Sequence, residues 1–227
     1  MAQPLIRRLV EDLDRTIGLV EPIVEFGSLQ VEPGQPNDLR PLFAGRRFVG
    51  TDMRAGPGVD RVEDLRDLSF ADGEVGAALC LDTLEHCEDP VRACRELHRV
   101  TAAGGVCVVS SVMLFGIHGY PNDYFRFTPE GLRSLLSAFD CVSVVGIGDP
   151  DIPRQVVGVG GRRPLDLALA ELPSVAAAQE EWRAAHGQVR VGPLRLSLRE
   201  LAGIAARELP RAAGERARAR LGRRRTG

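Results

Sequence analysis

The chain has 227 residues, of which 44% are hydrophobic and 26% charged, and its formal net charge is only −2. This composition predicts a globular protein and disfavours both a disordered chain and one that binds nucleic acid by overall charge. No apolar run approaches the ~18 residues of a membrane-spanning helix, and no signal peptide is evident. We therefore expect a cytoplasmic protein without a membrane partner.

The five cysteines include no Cys-x-x-Cys pair. Their odd number and spacing disfavour both a disulfide framework and a zinc site. Cys80 and Cys107 lie within apolar runs and are expected to be small buried side chains.

The first predicted element is an N-terminal helix within residues 1–20, because Leu5, Leu9 and Leu13 recur on one helical face. Five strands are then predicted at 22–26, 47–51, 59–63, 75–82 and 104–111. The first, fourth and fifth are nearly continuous apolar runs, which is typical of parallel strands covered on both faces.

Two helices are predicted from their start signals. One, at 89–100, begins with Asp89 followed by proline, and the other, at 128–139, begins with Thr128 followed by proline. Two further strands are predicted at 141–148 and 154–161. The segment between them is too short for a parallel crossover, so these two strands should be antiparallel.

These elements predict a doubly wound, Rossmann-like α/β fold with a seven-stranded sheet of five parallel strands and an antiparallel closing pair. The core should span residues 21–163, and 164–227 should form a helical, Arg-rich extension. Residues 201–227 contain eight arginines and two glutamates. This tail is interpreted as a solvated helix, an acidic-partner or nucleic-acid binding segment, or a homodimer contact. The lack of aromatic residues disfavours nucleic acid.

The loop after the first strand reads VEFGSL at 24–29. A dinucleotide loop would continue as G-x-G-x-x-G to cradle a pyrophosphate, but here only Gly27 is present. S-adenosylmethionine carries no phosphate and needs no such cradle. Asp52, at the end of the second strand, is placed to accept both ribose hydroxyls, and Asp64 to accept from an adenine amine, unless these acids only cap loops.

The ordered pieces VEFGS, FVGTDMR and residues 62–111 resemble class I S-adenosylmethionine-dependent methyltransferases of the methyltransferase-domain-11 type. The resemblance covers roughly residues 20–163 and departs from the family in the sparse glycines of the first motif. It implies a cofactor site whose parts bind the methionine end, the ribose, the adenine and the sulfonium. The residues assigned to this site are Glu25, Gly27, Ser28, Asp52, Met53, Asp64, Leu65, Leu81, Asp82 and Thr83.

Catalytic candidates follow the fourth and fifth strands. His86 is one candidate base, although it also fits a structural bond to a backbone carbonyl. His118, oriented by Asp123, is another. Tyr120, Tyr124 and Arg126 lie in the same loop as His118, which is expected to contact substrate, unless Arg126 instead pairs with Asp123 to lock the loop.

The predicted activity is transfer of a methyl group from S-adenosylmethionine to an oxygen or nitrogen atom of a small molecule such as a specialised metabolite or sugar. No metal is expected, because no convincing acidic cluster is evident. Two alternatives stay open: a non-catalytic scaffold of the same fold, and an RNA methyltransferase guided by the basic tail.

Overall fold

The computed structural model of the chain describes residues 3–31, 38–119, 122–185, 188–191, 194–197, 202–203 and 206. The chain divides into two units, residues 1–179 and 180–227. The first unit contains a seven-stranded sheet with helices on both faces, and the second contains a two-stranded hairpin.

The strands of the large sheet lie in the order β3-β2-β1-β4-β5-β7-β6. Strands β1 to β5 are parallel to one another, and β7 lies between β5 and β6 and is antiparallel to both. The predicted doubly wound sheet with an antiparallel closing pair is thereby confirmed. Its strands are β1 (Ile23–Phe26), β2 (Phe48–Asp52), β3 (Arg61–Val62), β4 (Val75–Leu81), β5 (Thr101–Val112), β6 (Cys141–Gly148) and β7 (Pro153–Gly161).

The helices are α1 (Gln3–Ile17), α2 (Pro90–Val100), α3 (Pro129–Leu135) and α4 (Pro173–Ala185). The Asp89 carboxylate accepts from the Arg92 amide at 3.0 Å, and the Thr128 hydroxyl accepts from the Gly131 amide at 3.0 Å. These bonds satisfy amides that the first turn of each helix leaves without a partner. Helix α3 ends earlier than predicted, because the amides of Ser137 and Phe139 donate to the carbonyls three residues earlier, in tighter turns.

Each face of the sheet carries its own apolar layer, and alternate residues of β4 contribute to each layer. Ala77 and Leu79 pack with α1, whereas Ala78 and Cys80 pack with α2 and α3. This double coverage explains why the central strands read as continuous apolar runs. The predicted N-terminal helix is thus part of the core.

The carboxyl ends of the parallel strands meet at one edge of the sheet. Phe26 pairs with both Thr51 and Cys80, and Leu81 pairs with Ser110. The loops that follow β1, β2, β4 and β5 therefore leave from neighbouring points, which is where open α/β sheets bind ligands.

The extension differs from the helical prediction in one respect. Helix α4 is present, but β8 (Gln188–Val191) and β9 (Leu194–Ser197) form an antiparallel hairpin. The alternating sequences QVRV and LRLS have the period of strands, and the Ala- and Arg-rich composition concealed this signal. The arginine-rich tail from residue 207 onward lies outside the described residues.

Within the described residues, no helix is both long and apolar enough to cross a membrane. The five cysteines are free thiols, four of them buried.

Candidate active site

A cavity of about 310 Å³ lies at the carboxyl edge of β1, β2 and β4. It is lined by seven of the residues that the sequence assigned to the cofactor, namely Gly27, Asp52, Met53, Asp64, Leu65, Asp82 and Thr83. His86 and Tyr124, predicted to serve catalysis and substrate binding, line the same cavity. The fold thus brings together residues that lie up to 97 positions apart in the chain.

Position 27 requires glycine for two reasons: its backbone conformation and its close contact with Thr83. Its φ angle is +89°, a left-handed conformation that disfavours side chains. A Cβ atom added to Gly27 would lie 2.1 Å from the Thr83 hydroxyl oxygen. That hydroxyl is itself fixed, because it donates to the carbonyls of Phe26 at 3.1 Å and Leu81 at 2.9 Å. Thr83 therefore occupies the space that the single glycine leaves open.

The amides of the β1 loop are engaged by the protein. The N–H groups of Gly27 and Ser28 both donate to the Thr51 carbonyl, at 2.8 and 2.9 Å. The Ser28 hydroxyl donates to the Gly58 carbonyl at 2.9 Å. A pyrophosphate would need such amides for itself. This loop is consequently unsuited to the dinucleotide role that its missing glycines already disfavoured.

Asp52 ends β2 at the wall of the cavity, where its side chain is 12% exposed. One carboxylate oxygen accepts from the Arg54 amide at 2.9 Å, a bond that orients the side chain. Met53, the next residue, is 53% exposed although it is a large apolar side chain. The Asp52 carboxylate, which can accept hydrogen bonds from hydroxyl groups, therefore lies beside the exposed apolar side chain of Met53.

Asp64 lies at the cavity wall but is paired with Arg66. The Arg66 guanidinium donates to both carboxylate oxygens of Asp64 at 2.8–3.2 Å and holds the pKa of that carboxyl below its usual range. Asp64 is therefore ionised, and part of its hydrogen-bonding capacity is used by Arg66. Leu65, which packs on the core, contributes an apolar contact beside it.

Asp82 follows β4 with a φ angle of +49°, the one left-handed residue other than glycine in the described part of the chain. Its carboxylate accepts from the Ser110 hydroxyl at 2.7 Å and from the Gln155 side-chain amide. Burial raises the pKa of Asp82, while these two donors act in the opposite direction. Ser110 and Gln155 are buried and come from β5 and β7, so sequence reasoning did not connect them to Asp82.

Glu85 is a buried carboxyl group that the sequence analysis did not assign. Its side chain is 0% exposed, and one oxygen accepts from the Ser111 hydroxyl at 2.8 Å. Burial, and next the charge of Asp82, raise the pKa of Glu85 to about 7. In the sequence, Glu85 stands between apolar Leu84 and the candidate base His86. This position was the available indication that Glu85 belongs to the site.

The loop after β5 brings His118 and Asp123 together. The Nδ1 atom of His118 lies 3.2 Å from a carboxylate oxygen of Asp123, and the two histidine rings of His86 and His118 are 4.8 Å apart. Arg126 also donates to both oxygens of Asp123 and keeps the pKa of that carboxyl well below its usual range. Asp123 therefore does both things the sequence allowed: it orients His118 and locks the loop through Arg126.

Several predicted site residues lie elsewhere. Glu25 and Ser28 line a separate small cavity with Asp38 and Arg40, because Glu25 projects from the opposite face of β1 to Phe26. Leu81 packs in the core layer that contains α1 and is not part of the cavity lining. His118, Asp123 and Arg126 lie next to the cavity rather than on its wall. Tyr120 lies outside the described residues.

The charge of the cavity wall is predominantly acidic. It includes five carboxylate side chains and two arginines, which are Asp52, Glu63, Asp64, Asp82, Glu88, Arg54 and Arg66. Such a wall favours a cationic ligand and repels a polyanionic one.

A family model described as a methyltransferase domain matches residues 45–109, from just before β2 into β5. A search among curated proteins finds no matching sequence.

Solved structures share the fold. Burkholderia thailandensis 1,6-didemethyltoxoflavin-N1-methyltransferase, with its acceptor and S-adenosylhomocysteine bound, is 18% identical (TM-score 0.52, covering 71% of this chain and 80% of that one). A methyltransferase from Archaeoglobus fulgidus is 14% identical (TM-score 0.50, 68% and 94% covered). A structure of the Haloferax volcanii Trm112 methyltransferase activator in complex with a methyltransferase is 17% identical (TM-score 0.50, 71% and 91% covered).

Together, the family match and the strand order confirm the resemblance drawn from the sequence motifs. Residues 45–109 therefore match a methyltransferase domain, and the chain shares its fold with these methyltransferase structures.

Replacing Gly27 by alanine should destabilise the protein more than the same change at Gly45. Gly45 has a similar φ of +81° but open space around a new Cβ, so Gly45→Ala should cost only the conformational penalty of about 1–2 kcal/mol. Gly27→Ala should cost a further ~1–3 kcal/mol, because the new methyl group collides with Thr83. Urea denaturation measures both, and equal losses would contradict the role given to Thr83.

Glu25 should make stability depend on pH. Burial, and next the charge of Asp38, raise the pKa of Glu25 from 4.5 to about 8, although Arg40 opposes the shift. Between these values the folded state keeps a proton that the unfolded chain releases. The contribution of Glu25 to stability is therefore fully present below about pH 4.5 and falls by up to about 1.4 kcal/mol per pH unit towards pH 8.

Glu25→Gln should consequently gain stability relative to the wild type as the pH rises through this window. Urea denaturation at several pH values measures the difference, and Glu130→Gln on the exposed side of α3 controls for loss of charge. A wild-type-minus-variant difference that stays constant with pH would show that Glu25 is not held protonated.

Proposed function

We propose that this protein transfers a methyl group from S-adenosylmethionine to an oxygen or nitrogen atom of a small molecule. The observation that carries the proposal is the placement of Asp52, Met53 and Gly27 around one acidic cavity at the strand ends. The family match supports the general activity. The choice of an oxygen or nitrogen acceptor rests on the polar side chains on the side of the cavity away from the cofactor wall.

The cofactor would be held by the wall formed from the β1, β2 and β4 loops. Asp52 would accept from the ribose hydroxyls, and Met53 and Leu65 would cover the adenine. Asp82 and Thr83 would lie towards the methionine end. When bound, the cofactor supplies an electrophilic methyl group on a positively charged sulfur, which the acidic wall would stabilise.

The acceptor would enter beside His86, Asn122 and Tyr124, which line the cavity. Asn122 donates to the Tyr124 hydroxyl at 2.8 Å, and the Tyr124 amide donates to the Glu85 carbonyl at 2.8 Å. The second of these bonds ties the loop after β5 to the turn after β4. The loop is thereby held in place to orient an acceptor, and orientation itself accelerates group transfer.

His118 would serve as the base for an acceptor that must lose a proton. Its Nδ1 atom faces the Asp123 carboxylate, so its Nε2 atom is left to accept a proton. Asp123 would act as a positioning residue, since its side chain is only 2% exposed and also binds Arg126. The polar character of this arrangement favours an oxygen or nitrogen acceptor over carbon.

Calorimetric titration with S-adenosylhomocysteine tests the cofactor site. We expect micromolar binding, weakened about tenfold, or about 1.4 kcal/mol, in Asp52→Ala. NADH should not bind, since the β1 loop offers no phosphate cradle. Asp72→Ala is the matched control, because Asp72 is an exposed aspartate that pairs with Arg99 away from the cavity.

Three results would contradict parts of the proposal. Absence of S-adenosylhomocysteine binding would favour the non-catalytic scaffold. Binding that is equally strong in Asp52→Ala would move the ribose site elsewhere. Salt-dependent RNA binding that disappears on removing residues after Pro210 would favour an RNA acceptor over a small molecule.

A further inference from the structure

Three side chains of metal-ligating type converge at the edge of the cavity. One ligating atom from each of Glu85, His86 and His118 can be chosen so that all three lie within 4.8 Å of one another. The sequence separates them into an adjacent pair after β4 and a single residue 32 positions later. The loop bonds between Tyr124 and Glu85 bring the two segments together.

The hydrogen bonds of both histidines fix the ring nitrogen that stays free. The Nδ1 atom of His86 lies 2.6 Å from the Asn122 carbonyl oxygen, and that of His118 lies 3.2 Å from both the Gly116 carbonyl oxygen and an Asp123 carboxylate oxygen. Because carbonyl and carboxylate oxygens only accept, both Nδ1 atoms carry the proton and both Nε2 atoms keep a lone pair. Metal-binding histidines are commonly oriented by just such bonds.

Glu85 supplies the second independent observation. Its side chain is fully buried, yet its Oε1 atom has no hydrogen-bond partner among the described residues, while Oε2 accepts from Ser111. A buried acceptor without a partner costs free energy, and a cation beside it would remove that cost.

We propose that Glu85, His86 and His118 form a binding site for a divalent transition-metal ion of the Zn²⁺ type. Two imidazoles and one carboxylate suit such an ion better than Mg²⁺ or Ca²⁺, which prefer oxygen ligands alone. Three protein ligands leave a coordination position for an outside ligand. The sequence predicted no metal, because it shows no convincing cluster of acidic residues.

The outside ligand would be an oxygen or nitrogen atom of the acceptor, since His86 is part of the cavity wall. This role, unlike the metal site itself, rests on the proposed function. Bound to the ion, an acceptor hydroxyl would lose its proton to solvent more readily, because the ion stabilises the oxygen anion. With the ion bound, His118 is a ligand and the ion replaces it as the group that promotes loss of the proton.

Titration of the full-length protein with Co²⁺, after removal of metals by a chelator, tests the site. We expect one Co²⁺ per chain, with visible ligand-field bands and no near-ultraviolet thiolate charge-transfer band. Glu85→Gln and His118→Gln should each weaken binding about tenfold or more. His98→Gln, a histidine of α2 that packs on Phe139, should bind Co²⁺ as the wild type does.

His118 is partly exposed, so His118→Gln should remain folded even if Glu85→Gln does not, and circular dichroism checks both. The proposal is overturned if Co²⁺ does not bind, if His118→Gln binds it as well as the wild type, or if a thiolate band assigns it to cysteines such as Cys87. Calorimetry with S-adenosylhomocysteine on the same metal-free protein separates the two claims. Binding of S-adenosylhomocysteine without Co²⁺ binding overturns the metal site alone, and the converse supports the metal site while contradicting the proposed function.

Discussion

The contact between Thr83 and Gly27 is the constraint on which the shape of the candidate site depends. The Thr83 side chain lies where a side chain at position 27 would otherwise be, and its hydroxyl bonds to the carbonyl ends of both β1 and β4. These two central strands are therefore joined at the point where their loops diverge. A loop with one glycine can turn here because the neighbouring loop completes the wall.

The charges around the cavity favour cationic over anionic ligands. The loop amides that would receive a phosphate donate to Thr51, and carboxylates outnumber arginines around the cavity. Asp64 and Asp123 are held ionised by arginines, whereas burial keeps Glu85 and Asp82 closer to protonation. The site therefore combines ionised carboxylates with buried acids, an environment that favours a cationic ligand over an anionic one.

Much of this fold could be predicted from the sequence, because buried parallel strands, proline-led helix starts and short connections are local signals. The positions of Asp52 and Asp82 followed from their places at strand ends. The direction in which a side chain points was harder to predict, and Glu25 faces another cavity because strand residues alternate between faces. The partners Ser110 and Gln155, and the burial of Glu85, depend on packing between distant segments, which no local pattern contains. The β8–β9 hairpin differs from the helical prediction, because the alternating pattern of this segment is short and its surroundings are rich in Ala and Arg.

The most direct test of the central claim is a crystal structure of the protein with S-adenosylhomocysteine. We expect density in the cavity at the ends of β1, β2 and β4, with the ribose hydroxyls against Asp52 and the amino-acid end towards Asp82. Density at the small cavity of Glu25 and Ser28, or an empty cavity at saturating ligand, would contradict it.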